Sequence, residues 1–158
     1  MATSYDELKS FLDEGGFRHR QAEDGTLLTG FGEMEYYRDP DGVPRLGILL
    51  KLHEAGSVLE ILCPRLYAYR GPQLDDLLRS CMLINYCVRL IGYDFDDRDG
   101  ELRASIILVL EDAPLTAPQL ARCLTTLAHQ VDRCDPFLQR TMLIGGVHVP
   151  RGRIGTGA

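Results

Sequence analysis

Asp94, Asp96, Asp97 and Asp99 form the densest set of potential metal ligands in the chain. A calcium loop places acids at its first, third and fifth positions, glycine at the sixth and a bidentate acid at the twelfth, because several oxygens must converge around one sharp turn. Counted from Asp94, the fifth position is Arg98 and the twelfth is Ser105, so that pattern fails. Acids on a solvated hairpin tip account for the cluster. The histidines, His19, His53, His129 and His148, fall in different segments with no ligand spacing between any two. His53 beside Glu54 has the residue types for acid–base work, but the pair stands at the end of an expected strand, where charged side chains face water. Cys63 precedes Pro64 with no base nearby in sequence, so a buried, inert thiol is expected. Gly145-Gly146 lacks the strand before it and the helix after it that a phosphate loop needs. No GxSxG, HExxH or Walker pattern occurs. These residues make no catalytic set, and neither a metal nor a cofactor is expected.

The 158 residues are 45% hydrophobic and 25% charged, an ordinary balance for a globular chain, and the length suffices for a sizeable core. A net charge of −6 argues against affinity for nucleic acid or an anionic membrane. Arg18-His19-Arg20 is the densest basic cluster, too small for a binding stripe. The opening MATSYDELKSF is polar and acidic, unlike a secretory signal or transit peptide, and no run is apolar enough to cross a bilayer. Cys63, Cys81, Cys87, Cys123 and Cys134 are odd in number and contain no CxxC pair, so they read as small core residues in a reducing cytosol. A cytoplasmic location is expected.

The element that should organise the chain is a helix from Pro72 to Ile91. Leu74, Leu77, Leu78, Cys81, Ile84, Asn85, Val88 and Ile91 recur at helical spacing, and Gly92 would stop the helix in a left-handed conformation. The period then changes to two, predicting a hairpin of Gly92–Asp97 and Glu101–Leu110 around a tight primed turn at Asp99-Gly100. Earlier in the chain, Ser4 and Glu7 make a capping box for a helix over Tyr5–Glu14. A short strand at Phe17–Ala22 and a long one at Thr26–Tyr37 follow; Gly30 and Gly32 in the latter imply a bend or a close approach by another backbone. Strands at Arg45–His53 and Ser57–Cys63 complete a meander. The last helix starts at Thr116 with Gln119 completing a second box, and carries Leu120, Leu124, Leu127, Ala128 and Val131 on its core face. Asp135-Pro136 should break or kink it. The expected architecture is α+β, a single antiparallel sheet flanked by helices in the order α-β-β-β-β-α-β-β-α. Residues 1–150 should form one domain and residues 151–158 a flexible tail.

One feature exceeds what a simple core needs. The organising helix carries a second apolar strip on its back, formed by Met82, Leu83, Tyr86, Cys87 and Leu90, whereas a helix lying on one sheet needs only one buried face. Other elements of the same chain could cover this strip; otherwise Met82, Leu83, Tyr86 and Leu90 are candidates for a dimer seam or a partner-binding surface.

Leu83-Ile84-Asn85, then Gly92-Tyr93-Asp94-Phe95-Asp96 and Asp99-Gly100-Glu101-Leu102, resemble the YbjN-like family. There, a helix with an "LN" pair leads into a G-x-F-x-x-D-x-D-G hairpin and then a helix capped by Thr; here Ile84 separates the pair. The resemblance implies the fold of type III secretion chaperones, usually dimeric, binding protein segments and lacking an active site. It brings no catalytic residue with it, and the family's description as signal transduction regulators names no chemistry. The resulting expectation is a non-enzymatic chaperone-like or adaptor domain that binds a protein segment or effector-like client and forms a homodimer. The alternative is a small-molecule sensor or enzyme with a pocket between sheet and helices, drawing on His53 and Tyr36.

Overall fold

A computed structural model describes residues 2–111 and 113–151. Helix α1 spans Tyr5–Glu14 and opens on the expected box: the Glu7 amide donates to the Ser4 hydroxyl at 3.2 Å, and the Ser4 amide donates to the Glu7 carboxylate at 2.8 Å. The strands are β1 (Arg20–Gln21), β2 (Leu27–Phe31), β3 (Leu46–His53), β4 (Val58–Ala68), β5 (Gly92–Asp96) and β6 (Glu101–Val109). A 3₁₀ turn at Glu54–Gly56 joins β3 to β4, helix α2 spans Leu74–Cys87 and helix α3 spans Ala117–Ile144. All six strands form one antiparallel sheet in the order β1-β2-β3-β4-β6-β5. The α+β architecture and the element order read from the sequence are both present.

Period-two alternation decides which side of the sheet is covered. Leu27, Leu46, Ile48, Leu50, Leu59, Ile61, Cys63, Leu102, Ala104 and Ile106 are buried on one face. They share a core with Leu8 and Leu12 of α1, Leu77, Cys81 and Ile84 of α2, and Leu120, Leu124, Leu127, Val131 and Leu138 of α3. Each such large side chain contributes roughly 1.5–3 kcal/mol on burial. The opposite face carries Gly47, His53, Ile107 and Val109, all exposed. A Cβ on Gly30 would lie 2.2 Å from the Leu46 carbonyl oxygen, which is the close backbone approach expected there; a Cβ on Gly32 would meet nothing.

Several boundaries differ from the sequence reading, each for a physical reason. The Phe17–Ala22 strand is only the two-residue β1. The Thr26–Tyr37 strand ends at Phe31, because the chain turns through a left-handed Glu33 (φ 59°) and crosses to α3. There the Asp132 carboxylate accepts from the amides of Glu35, Tyr36 and Tyr37 at 3.0, 2.8 and 2.8 Å. Strand β4 runs past Cys63 to Ala68; a bulge between Cys63 and Tyr67, with Arg65 at φ 50°, admits Pro64 without a ladder bond being lost to it. Helix α2 is shorter than Pro72–Ile91 and Gly92 is not its stop: the helix ends at Cys87, Val88 is extended, and the left-handed residue is Leu90 at φ 81°. The β5–β6 turn is a four-residue loop, 97–100, with Gly100 as its left-handed residue, instead of a two-residue primed turn. Pro136 does not break α3, which continues to Ile144. An interior proline costs about 3 kcal/mol; here it lies on the exposed side, while full burial of Leu138 and Thr141 beyond it rewards keeping the helix going. Of the expected tail, residues 152–158 lie outside the described residues.

Candidate partner-binding surface

The two sides of α2 are set by its 100° turn per residue. Leu77, Cys81 and Ile84 point into the core, and Met82, Leu83 and Tyr86 point away from it. Met82 is 72% exposed and Tyr86 89%, while Leu83 and Leu90 are each nearly half exposed. No neighbouring element of the described chain covers them. Leu90 belongs to the connection to β5 and not to the helix. It nonetheless continues the strip, because it lines a cavity of about 340 Å³ together with Leu108, Val109, Leu110, Leu115 and Cys123. Val109, which shares that cavity with Leu90, and Ile107 are exposed on the uncovered face of the sheet. The sequence carried the signal for this second patch: the β6 run Ile106-Ile107-Leu108-Val109 has no polar alternate on its outer side.

The connection from α2 to β5 is held by Asn85. Its carboxamide oxygen accepts from the Tyr93 amide at 2.8 Å, and its nitrogen donates to the Tyr93 carbonyl at 3.1 Å. The periodicity had assigned Asn85 to the core face for its position alone; its chemistry is that of a peptide group standing beside a strand.

The aspartate cluster is a hairpin tip. Asp96 is bonded to Arg98, which holds its carboxyl down at about 2, Asp99 accepts from the Glu101 amide, and Asp94 accepts from the Ser105 hydroxyl. Among the described residues no group of three His, Cys, Asp or Glu side chains could hold a metal. His53 is 3.0 Å from Glu60 across the β3–β4 hairpin, and His19 is 3.0 Å from Asp13. Tyr36 and His53 are not brought together. Tyr36 follows β2 at the end where Phe31 pairs with Leu46, while His53 is at the far end of β3, roughly 23 Å along the strand at 3.3 Å per residue.

Buried polar groups lie elsewhere, and sequence reasoning missed them. The Tyr67 hydroxyl donates to the buried Asp135 carboxylate at 2.5 Å, and Tyr37 packs edge-on against Tyr67 with ring centroids 6.2 Å apart. Burial raises the Asp135 carboxyl above its ordinary value and drives Tyr37 up to about 12. A cleft of about 670 Å³ beside them is lined by Arg38, Arg65, Tyr67, Gln139 and Met142. All five cysteines are free thiols. Cys63, Cys81, Cys123 and Cys134 are buried as expected, with burial pushing Cys81 to about 12 and Cys134 to about 11. Cys87 departs from the expectation of a core thiol, being only partly buried beside the exposed strip.

No family model matches the chain, and no curated protein is significantly similar to it. Similarity appears in three dimensions. YbjN, a proposed transcription regulator from E. coli, superposes with a TM-score of 0.64 at 14% identity, covering 84% of this chain and 89% of YbjN. A chain of the HopA1–SchA chaperone–effector complex superposes with a TM-score of 0.54 at 15% identity, covering 84% of this chain and 94% of that one. The chain therefore has a YbjN-like, type III secretion chaperone-like fold, as the resemblance of its helix and hairpin implied. Among the described residues no helix is long and apolar enough to cross a membrane.

Proposed function

We propose that this chain is a non-enzymatic, chaperone-like or adaptor domain of the cytoplasm that binds a protein segment or a second copy of itself through the strip Met82, Leu83, Tyr86 and Leu90. The observation that carries this reading is the exposure of four large apolar side chains on and just after one helix, with Tyr86 almost wholly in solvent. Leaving each such side chain in water forgoes roughly 1.5–3 kcal/mol, which a covering chain recovers less its ordering cost. Tyrosine and methionine are also residues that anchor and adapt protein interfaces. The likeness in fold to a chain of a chaperone–effector complex supports a protein client, and the distance between Tyr36 and His53 weighs against their acting together in the pocket of the enzymatic alternative.

Leu83→Glu with Leu90→Glu places two charges in the strip and leaves the core stripe alone. The expected result is a folded chain that sediments at lower mass, or that no longer retains a partner captured by the unmodified chain. Unchanged mass and unchanged partners would remove the strip from consideration. Outright unfolding would make it part of the core.

A further inference from the structure

Where β2 ends beside the start of β3, the uncovered face of the sheet is bare backbone. Gly30 pairs with Gly47 across the ladder, and Gly32 follows just beyond the end of β2. Gly30 is needed there, since a Cβ would collide with the Leu46 carbonyl oxygen. A Cβ on Gly32 or Gly47 would meet nothing, and neither residue has a positive φ. Glycine inside a strand weakens it and often marks a place where a ligand comes close to the backbone. Neither backbone conformation nor packing within this chain accounts for Gly47.

These glycines line a cavity of about 540 Å³, and small-molecule sites run to about 300–1,000 Å³. Its other lining includes four rings, those of Phe31, Tyr37, Pro40 and Pro64. Pro40 stands on a fixed turn: the Asp39 carboxylate accepts from the Asp41 and Val43 amides at 3.0 and 2.8 Å and is paired with Arg45. The charged side chains of the lining are Asp39, Arg45 and Arg65. The first two are paired with each other, whereas the Arg65 guanidinium has no ion pair among the described residues. Glu101 bonds the Arg65 amide, at 2.9 Å, and so holds the main chain of the β4 bulge from which that side chain extends.

We propose that this cavity binds a small aromatic carboxylate, with its ring over Gly47 and its carboxylate on Arg65. A planar ring matches a floor without side chains, and the surrounding rings contact its edges and faces. A guanidinium forks onto a carboxylate through two parallel hydrogen bonds, so one unpaired arginine calls for one such group. The site uses no residue of the α2 strip and stands whether or not that strip binds a protein.

The test titrates the full chain with naphthoate, with its neutral amide naphthamide and with acetate, following the backbone amides by NMR. With naphthoate the Gly30, Gly32 and Gly47 amides should shift saturably, because the ring lies over them. Naphthamide should bind about tenfold more weakly, having lost the charge that Arg65 recognises, and acetate should leave these amides unmoved. Gly47→Val puts a strand-favouring side chain where no protein atom stands, so the chain should fold and lose naphthoate binding by about tenfold or more. Arg65→Asn suits the left-handed backbone at that position and should lower naphthoate affinity to that of naphthamide. The Leu83→Glu, Leu90→Glu background should bind naphthoate as the unmodified chain does. Loss of binding there would place the probe on the α2 strip and overturn the proposal. Naphthoate that moves none of the three glycine amides overturns it, as does equal affinity for naphthoate and naphthamide. So does binding that survives Gly47→Val in a folded chain. Should Gly47→Val not fold, Arg65→Asn decides: unchanged naphthoate affinity in that variant overturns the proposal, and affinity reduced to that of naphthamide upholds it.

Discussion

On one side of α2, Leu77, Cys81 and Ile84 are closed in against β5, α3 and the sheet; on the other, Met82, Leu83 and Tyr86 lie in solvent. The two sides draw on the same kinds of residue, separated by half a helical turn. Side-chain type therefore says which surfaces seek cover, and only the packing of the remaining elements says which ones obtain it. The same contrast divides β6, where Ala104 and Ile106 are buried and Ile107 and Val109 are not.

The largest test of this contrast is a truncation on each side. Ile84→Ala should lose about 2–5 kcal/mol in denaturant unfolding, since it removes a fully buried side chain and leaves a cavity. Met82→Ala should stay within about 0.5 kcal/mol under conditions where the chain is monomeric. Equal losses would mean that the exposed strip is covered in solution by the chain itself. Thiol labelling sharpens the comparison more gently. Cys87 should react first in the native protein, with Cys63, Cys81 and Cys134 waiting for unfolding, because burial keeps their thiolates scarce.

Two carboxylates extend the contrast to charge. Burial raises the folded-state value of Asp135 above 3.8. Its stabilising share is therefore complete below 3.8 and declines as pH rises through the folded value. Asp135→Asn keeps an acceptor for Tyr67 and cannot ionise, so it should match or exceed the unmodified chain in stability at neutral pH and lose that part of the pH dependence. Greater stability of the unmodified chain at neutral pH would show that the ionised form is the favoured partner of Tyr67. Asp96 behaves in the opposite sense and more weakly. Arg98 lowers its value from 3.8 to about 2, so its contribution is present above 3.8 and lost as pH falls towards 2. Asp96→Asn should flatten the acid limb of the stability profile in that window only, and by the least of these effects, because the pair is exposed. An unchanged acid limb would show that the pair adds nothing to folding.

What could be read from the residues was what depends on near neighbours. Both capping boxes, Ser4 with Glu7 and Thr116 with Gln119, are present because each is closed within one turn by groups three residues apart. The sheet's meander and hairpin were legible for the same reason: alternation and turn residues act over a few positions. In two places where the reading went astray, distant residues intervened. The β2 strand ends early because Asp132, almost a hundred positions later, takes three amides of the segment that follows it. Helix α3 passes Pro136 because Leu138 and Thr141 find a core to enter. The strip was legible as apolar, yet neither its exposure nor its continuation past Leu90 to Val109 was visible along the chain.

Periodicity and capping chemistry were enough to specify the elements and their order, since hydrogen bonds and side-chain spacing within a segment are properties of that segment. Tertiary packing alone decided that one apolar face of α2 would be buried and the other left to solvent. It also turned Asn85 from a core-face residue into a partner for the main chain of β5. Burial depends on which surfaces meet, and the meeting of α2, β5 and α3 is recorded in no stretch of sequence short enough to show a period.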